Sequence, residues 1–267
     1  MNESVFVKKT TSLLHTLDFV KKAYVFDTVN STNATARDLA KTGAVEGSVV
    51  IAQTQLQGRG RFERVWESPE GGLYLSLILR PNVPPDKSSL LSFIAALAAV
   101  KTMRGYGVLA TIKWPNDVRV HGKKIAGILL ESEGNGQRIE YVVVGIGINL
   151  AVDLTGLSAA IQTKSTSLEH ELKQPIDFHE FLKSFISAFE QSYRHFKKQR
   201  FNDLVEEWKS YSDTLGKKIQ VNTMTGDFEG TAYDVDSSGF LLLRTSKGET
   251  KRILSGDCLY VDELDHA

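Results

Sequence analysis

Between Ala110 and Asn149 four strand-like runs follow one another with only short turns between them: Ala110 to Lys113, Val118 to Val120, Lys124 to Ser132 and Ile139 to Asn149. His121-Gly122-Lys123 reads as a tight hairpin turn, and Gly134 to Gly136 as a second turn. Chain that returns this quickly has no room for a crossover helix, so these strands must pair antiparallel. The pattern excludes the strict strand–helix alternation of a dinucleotide fold and points to an α+β architecture with helices on one face of a mixed or antiparallel sheet.

The flanking segments fit that frame. Tyr24 to Val29, Gly47 to Gln53 and Leu73 to Leu79 read as strands, the last stopped by Pro81, Pro84 and Pro85. Asn30 to Asn33 supplies capping residues for a helix over Ala34 to Lys41. Ser88 to Arg104, Phe178 to Phe196 and Phe201 to Tyr211 read as helices, and Leu13, Leu14, Leu17 and Val20 suggest a short one near the start. Residues 151–166 look irregular. From about Gly216 short strands recur between Gly, Asp and Ser turns, the texture of a small β-barrel. The expected division is residues 1–214 and 215–267.

Charge and cysteine content narrow the function classes. Lys plus Arg and Asp plus Glu each number 32, so the chain lacks the basic excess of a nucleic-acid binder, although a local basic patch surrounds Arg59. The single cysteine, Cys258, allows no internal disulfide and fits a reducing compartment. It reads as a small buried hydrophobe rather than a nucleophile. No signal-peptide core stands at the N-terminus, and the apolar run Tyr141 to Val152 is too short to span a bilayer. The expectation is a cytoplasmic protein without membrane or DNA partners.

Four segments carry chemistry. Gln55 to Trp66 alternates Gly58 and Gly60 with Arg59, Arg61 and Arg64: glycines let backbone amides approach a ligand, and arginine suits phosphate or carboxylate. It reads equally as a solvated basic loop. In Lys113-Trp114-Pro115-Asn116-Asp117 the proline forces Trp114 into an extended conformation, so that Asn116 and Asp117 emerge at a strand end, as an ordinary turn or beside a nucleotide's Mg²⁺. Lys124 begins an alternating strand and faces either a cleft or solvent. Gly145 and Gly147 interrupt a β-branched strand, for close packing or for a ligand. Phosphate-loop, zinc-protease, serine-elbow and paired-cysteine signatures are absent.

In this order, the strings DTVNSTN, QGRGR, Trp66, GGLYLSLILRP, KWPNDV, GKKIAGILLE and VVGIGINL resemble the biotin protein ligase family. The resemblance runs from about Tyr24 to Leu150, with a weaker likeness beyond. It implies a catalytic domain of the class II aminoacyl-tRNA synthetase/biotin ligase type followed by an SH3-like β-barrel. The implied activity joins biotin to ATP as biotinoyl-AMP and passes it to a lysine of a biotin carboxyl carrier protein, part of an acetyl-CoA or pyruvate carboxylase. ATP, Mg²⁺ and biotin are the implied small molecules, with no tightly bound metal.

The resemblance also implies roles for individual residues. Ser31, Thr32, Asn33, Gln55, Arg59, Gly60, Arg61, Lys124, Gly127, Gly145 and Gly147 would surround biotin. Arg59, Arg61, Arg64, Trp66, Asn116, Lys124 and Asn149 would serve the nucleotide, and Asp117 a metal ion. Lys124, Arg59 and Arg61 would act on the reacting carboxylate and phosphate. Two departures stand out. Glu63 replaces the third glycine of the family's GRGRxGR loop. Only about two dozen residues precede the catalytic segment, where regulatory members carry a helix-turn-helix of ~60 residues, so no operator binding is expected. The rival readings are a lipoate protein ligase and a biotin-sensing repressor without catalysis; monomer and homodimer both remain open.

Overall fold

The computed structural model describes residues 3–261. Seven strands, β1 (Lys22–Val29), β2 (Ser48–Gln55), β3 (Gly72–Leu79), β4 (Thr111–Lys113), β5 (Asp117–Val120), β6 (Lys123–Gly134) and β7 (Ile139–Asn149), form one sheet in the order β1-β2-β3-β7-β6-β5-β4. The β4 to β7 run is antiparallel throughout, as its short turns require. His121 and Gly122 both adopt positive φ in the β5–β6 turn. Only β1 and β2 pair parallel, because a helix intervenes between them.

Among the described residues seven α-helices accompany the sheet: α1 (Val5–Leu14), α2 (Thr32–Lys41), α3 (Leu90–Gly105), α4 (Ala159–Gln162), α5 (Leu168–Leu172), α6 (Phe178–Lys197) and α7 (Phe201–Tyr211). The first lies earlier than its sequence pattern suggests. Ser4 caps it by accepting from Val7 N at 3.1 Å, and the helix ends at Leu14. Leu17 and Val20 still pack on the core, but from an irregular segment.

The expectation of helices on one face is corrected. Val49, Ile51, Leu75, Leu77, Val142 and Val144 face the main core with α3 and α6. Val50, Ile78, Tyr141 and Val143 point the other way, onto Ala36 and Ala40 of α2. Successive residues in β2 and β7 are apolar at both parities, the mark of strands covered on both sides. α2 is only ten residues long. It covers one end of its sheet face and leaves the other end open beyond its N-terminus.

The C-terminal strands β8 (Lys218–Thr223), β9 (Gly226–Val235), β10 (Leu241–Arg244), β11 (Thr250–Ile253) and β12 (Asp257–Tyr260) form an antiparallel sheet in the order β11-β10-β9-β8-β12. Cys258 is buried in it, packed as a small hydrophobe. Its core is continuous with that of the large sheet. Trp114, 1% exposed, is the hinge pin between them: its Nε1 donates to Gly239 O at 3.1 Å, and its backbone N donates to Thr214 Oγ1 at 2.9 Å. The Trp114–Pro115 peptide is cis. No helix among the described residues is long and apolar enough to cross a membrane.

Trp114→Phe keeps the aromatic packing but orphans the Gly239 carbonyl. An unsatisfied buried acceptor costs about 1–3 kcal/mol. Urea unfolding should show that loss as a lower midpoint at unchanged slope; an unmoved midpoint would mean that apolar contact alone holds the junction.

Candidate functional site

The open end of the sheet is a pocket floored by glycine. On β6 and β7, Gly127 pairs with Gly147 and Leu129 with Gly145; on β3, Tyr74 pairs with Gly147 and Ser76 with Gly145. Each glycine is dictated by a side chain lying flat upon it. A Cβ at Gly145 would sit 2.0 Å from Asn33 Oδ1. Cβ atoms at Gly127 and Gly147 would sit 2.8 and 2.6 Å from the Trp66 ring. For Gly145 and Gly147 the sequence left packing and ligand contact open; close packing accounts for both, and with Gly127 they also line the cavity.

At the head of α2, Ser31 is the N-cap. Thr32 donates through its backbone N (2.8 Å) and its hydroxyl (3.1 Å) to Gln55 Oε1. Gln55 Nε2 in turn donates to Ser68 Oγ at 2.8 Å, and Ser68 to Trp66 O at 2.8 Å. The buried Ser76 hydroxyl donates to Asn33 Oδ1 at 2.6 Å and lies 2.9 Å from Thr32 Oγ1. Asn33 Nδ2 donates to Glu131 Oε2 at 2.9 Å. The turn is therefore fixed before any ligand arrives.

Lys124 reaches the pocket through a β-bulge. Strict alternation from buried Ile128 and Ala126 would turn it into the core. Register slips where β5 advances one residue, from Val118 to Arg119, while β6 moves two, from Ala126 to Lys124. Ile125 is the extra residue and stays buried, and Lys124 swings to the same side as Gly127. Segment 164–166 braces it: Lys124 N donates to Lys164 O at 2.8 Å and Thr166 N to Lys124 O at 2.9 Å. Lys124 Nζ lies 2.7 Å from Asp117 Oδ1 and 5.3 Å from the Trp66 ring centroid.

The Gly-Arg segment forms the roof. Trp66 N donates to Gly58 O at 2.9 Å and Gly60 N to Arg64 O at 2.7 Å, closing a narrow hairpin tipped by Arg61–Glu63. Phe62 and Glu63 both lie at left-handed φ (54° and 58°). Position 63 is thus a place glycine would occupy freely, and a glutamate there carries strain of about 1 kcal/mol or more. Each arginine has a partner. Arg59 Nη1 pairs with Glu131 Oε1 at 2.9 Å. Arg61 donates to Asn116 Oδ1 at 3.0 Å and to Ser255 Oγ at 2.9 Å. Arg64 forks onto both oxygens of Asp257. Burial pushes the Arg61 guanidinium down, against the opposing pull of Asp117 and Asp257. The bond to Asp257 pushes Arg64 up.

Of the expected residues, all but one converge on this cavity. Asn149 is the exception: it is buried, lies outside the lining, and its Nδ2 donates to Thr166 O at 3.1 Å. Asp117, expected beside a metal ion, is matched by Lys124, and Asn116 is spent on Arg61 and on Ile128 O (2.7 Å). No group of three or more metal-ligating side chains occurs among the described residues. One carboxylate already neutralised by a lysine does not fit a resident Mg²⁺. Sequence reasoning missed Ser68, Ser76, Glu131, Ser255 and Asp257. Ser76, the lone serine in an otherwise hydrophobic strand, and Glu131, in alternation with Gly127 and Leu129, left a local signal. Ser255 and Asp257 left none.

A glycine floor, a capped helix terminus and a roof of arginines define a site for an anionic, partly apolar ligand, on a fold that known proteins share. The sequence model of the biotin/lipoate A/B protein ligase family matches residues 25–149, and that of the biotin protein ligase C-terminal domain matches residues 214–260. The bifunctional ligase/repressor BirA of Bacillus subtilis is 38% identical over 86% of this chain and 71% of its own. The biotin–[acetyl-CoA-carboxylase] ligase of Paracoccus denitrificans is 37% identical over 82% of this chain and 92% of its own. The biotin protein ligase of Aquifex aeolicus, solved with biotin and ATP, superposes with a TM-score of 0.77 at 27% identity, covering 90% of this chain and 98% of that one. The chain belongs to the biotin protein ligase family.

The floor can be tested directly. Gly145→Ala drives a methyl into Asn33 and should destabilise the fold by about 1–3 kcal/mol. In an Asn33→Ala background the same change should be close to neutral, the coupling being read from a double-mutant cycle in denaturant. Equal losses in both backgrounds would mean that Asn33 is not what the glycine accommodates.

Proposed function

We infer that this pocket carries both half-reactions of biotin protein ligation. In the first, a biotin carboxylate oxygen attacks the α-phosphorus of ATP; the bond to the β-phosphate bridging oxygen breaks, and pyrophosphate leaves with biotinoyl-5′-AMP formed. In the second, a lysine amine of an acceptor domain attacks the acyl carbon, AMP departs, and the amine loses a proton. The acceptor that fits is a biotin carboxyl carrier protein or domain of an acetyl-CoA or pyruvate carboxylase. The Paracoccus denitrificans relative is named a biotin ligase and the Aquifex aeolicus structure is a biotin protein ligase with biotin and ATP, which favours biotin over lipoate. The observation that carries the chemistry is the meeting of Lys124 and Arg61 on two consecutive residues, Asp117 and Asn116. A cation on the sheet and a cation on the roof thus flank one point, where charge develops on the carboxylate and phosphate oxygens.

The remaining lining divides by chemistry. The Ser31–Asn33 turn and Gln55 supply polar groups at one end, suited to a ureido ring, while Leu129 supplies an apolar wall beside the glycine floor. Trp66 and Arg64 lie at the other end, suited to a nucleotide. Asp117 is the carboxylate nearest the reacting point and can accept a hydrogen bond from the incoming ammonium once Lys124 turns to the substrate. No enzyme nucleophile is required, because the adenylate is itself the activated acyl group.

Lys124→Ala should slow adenylate formation by roughly 10²–10³-fold, the range for losing one charge-stabilising donor, with little change in melting temperature. Wild-type pyrophosphate release would remove Lys124 from the chemistry. Arg61→Gly should form the adenylate more slowly and let it escape, so that a larger share of the biotinoyl-AMP made is found free in solution. The assignment as a whole rests on the ATP-dependent mass shift of a biotin carboxyl carrier domain; a carrier left unmodified by folded, biotin-bound enzyme would overturn it.

A further inference from the structure

Glu131 stands behind the pocket, on the same side of β6 as Gly127 and Leu129, and does not line the cavity. Its side chain is 20% exposed and three donors converge on it. Asn33 Nδ2 reaches Oε2 at 2.9 Å; Arg59 and Arg37 reach Oε1 at 2.9 and 3.4 Å. Asn33 belongs to the first turn of α2 and is held from its other side by the buried Ser76. Arg59 belongs to the roof hairpin, where it pairs with Val65. One carboxylate therefore ties the polar turn of the pocket to the roof above it.

This arrangement gives Arg59 a task different from that of Arg61. A guanidinium neutralised by a carboxylate at hydrogen-bond distance has little charge to offer a phosphate. Arg61, whose partners are an amide and a hydroxyl, keeps its full charge for the substrate. Resting on the ligase reading above, we propose that Glu131 is a positioning residue for ligation: it holds Asn33 in the biotin turn and uses Arg59 as a strut, so that turn and roof close on the acyl-adenylate as one unit.

Two variants of the full chain separate the two arms of this network. Glu131→Gln can still accept from Asn33 but carries no charge to pair with the two arginines; Glu131→Ala loses both functions. Biotin affinity by calorimetry, escape of preformed biotinoyl-AMP and thermal melting are measured beside the wild type. The expected result for Glu131→Gln is biotin affinity within about threefold of wild type with adenylate escaping about tenfold faster, the scale of one charge-assisted hydrogen bond. Glu131→Ala should in addition weaken biotin about tenfold. Adding Arg59→Ala to Glu131→Gln should change escape little further, because the strut is already lost. If Glu131→Gln retains the adenylate as wild type does, or if both variants shift every quantity in parallel with melting temperature, the positioning role is wrong. A wild-type enzyme that binds biotin and makes the adenylate shows that such a failure concerns Glu131 alone; one that does neither overturns the ligase reading and this role with it.

Discussion

The sheet beneath the pocket carries no side chains at Gly127, Gly145 and Gly147, and the site is stacked on that gap. A flat floor lets the Asn33 amide and the Trp66 indole lie against backbone, at distances a Cβ would forbid. It exists because α2 stops short: its body covers Val50, Ile78 and Val143, its first-turn Asn33 reaches Gly145, and Gly127 and Gly147 lie beyond it. Along β3 and the centre of β7 the residues beside these glycines pack apolar on both faces. The helix that ends there presents its capped N-terminus, where an anion or a polar ring gains from aligned peptide dipoles.

Over this floor most of the cations face a carboxylate: Lys124 meets Asp117, Arg59 and Arg37 share Glu131, and Arg64 meets Asp257, while Arg61 is held by an amide and a hydroxyl. Partly buried cations left unmatched would be expensive to hold in a cavity. The pairs keep the empty site stable and leave a choice of which to exchange for substrate. Lys124 meets its carboxylate through a single oxygen and shares a flexible stem with the Trp66 face, so it can turn to a ligand oxygen at small cost. Arg64 forks onto Asp257 through two nitrogens, a geometry that resists exchange. Mobility of charge in this pocket thus follows the number of bonds each cation already makes.

Much of this was legible in the sequence because its signals are local. Short turns from His121 to Lys123 dictate antiparallel pairing; Ser31 to Asn33 mark a helix start; Gly145 and Gly147 mark a close approach. The position of Lys124 was not legible. Its side is set by a bulge at Ile125, and a one-residue slip inverts every side chain before it. The second helical layer was missed for a related reason: continuous apolar runs such as Val142-Val143-Val144 carry no phase. The early helix was misplaced because Leu17 and Val20 pack at helical spacing from chain that is not helical. The partners of the roof arginines were beyond reach, since Ser255 and Asp257 lie nearly two hundred residues from Arg61 and Arg64.

Those distant contacts give the C-terminal sheet a part in the site. Ser255 and Asp257 flank Gly256, where a Cβ would sit 2.4 Å from Val221 Cγ1 and 2.9 Å from Asn222 O, so the turn is pressed hard onto β8. A turn fixed this closely is a rigid ledge, and the roof hairpin rests two of its three arginines on it. The third rests on Glu131 of the large sheet. The strained tip at Phe62 and Glu63 lies between these anchorages. A short hairpin tied to two modules and strained at its tip has few ways to move except as a whole. The roof is thus held by contacts to both sheets, and its placement over the pocket depends on how the two meet as well as on the hairpin itself.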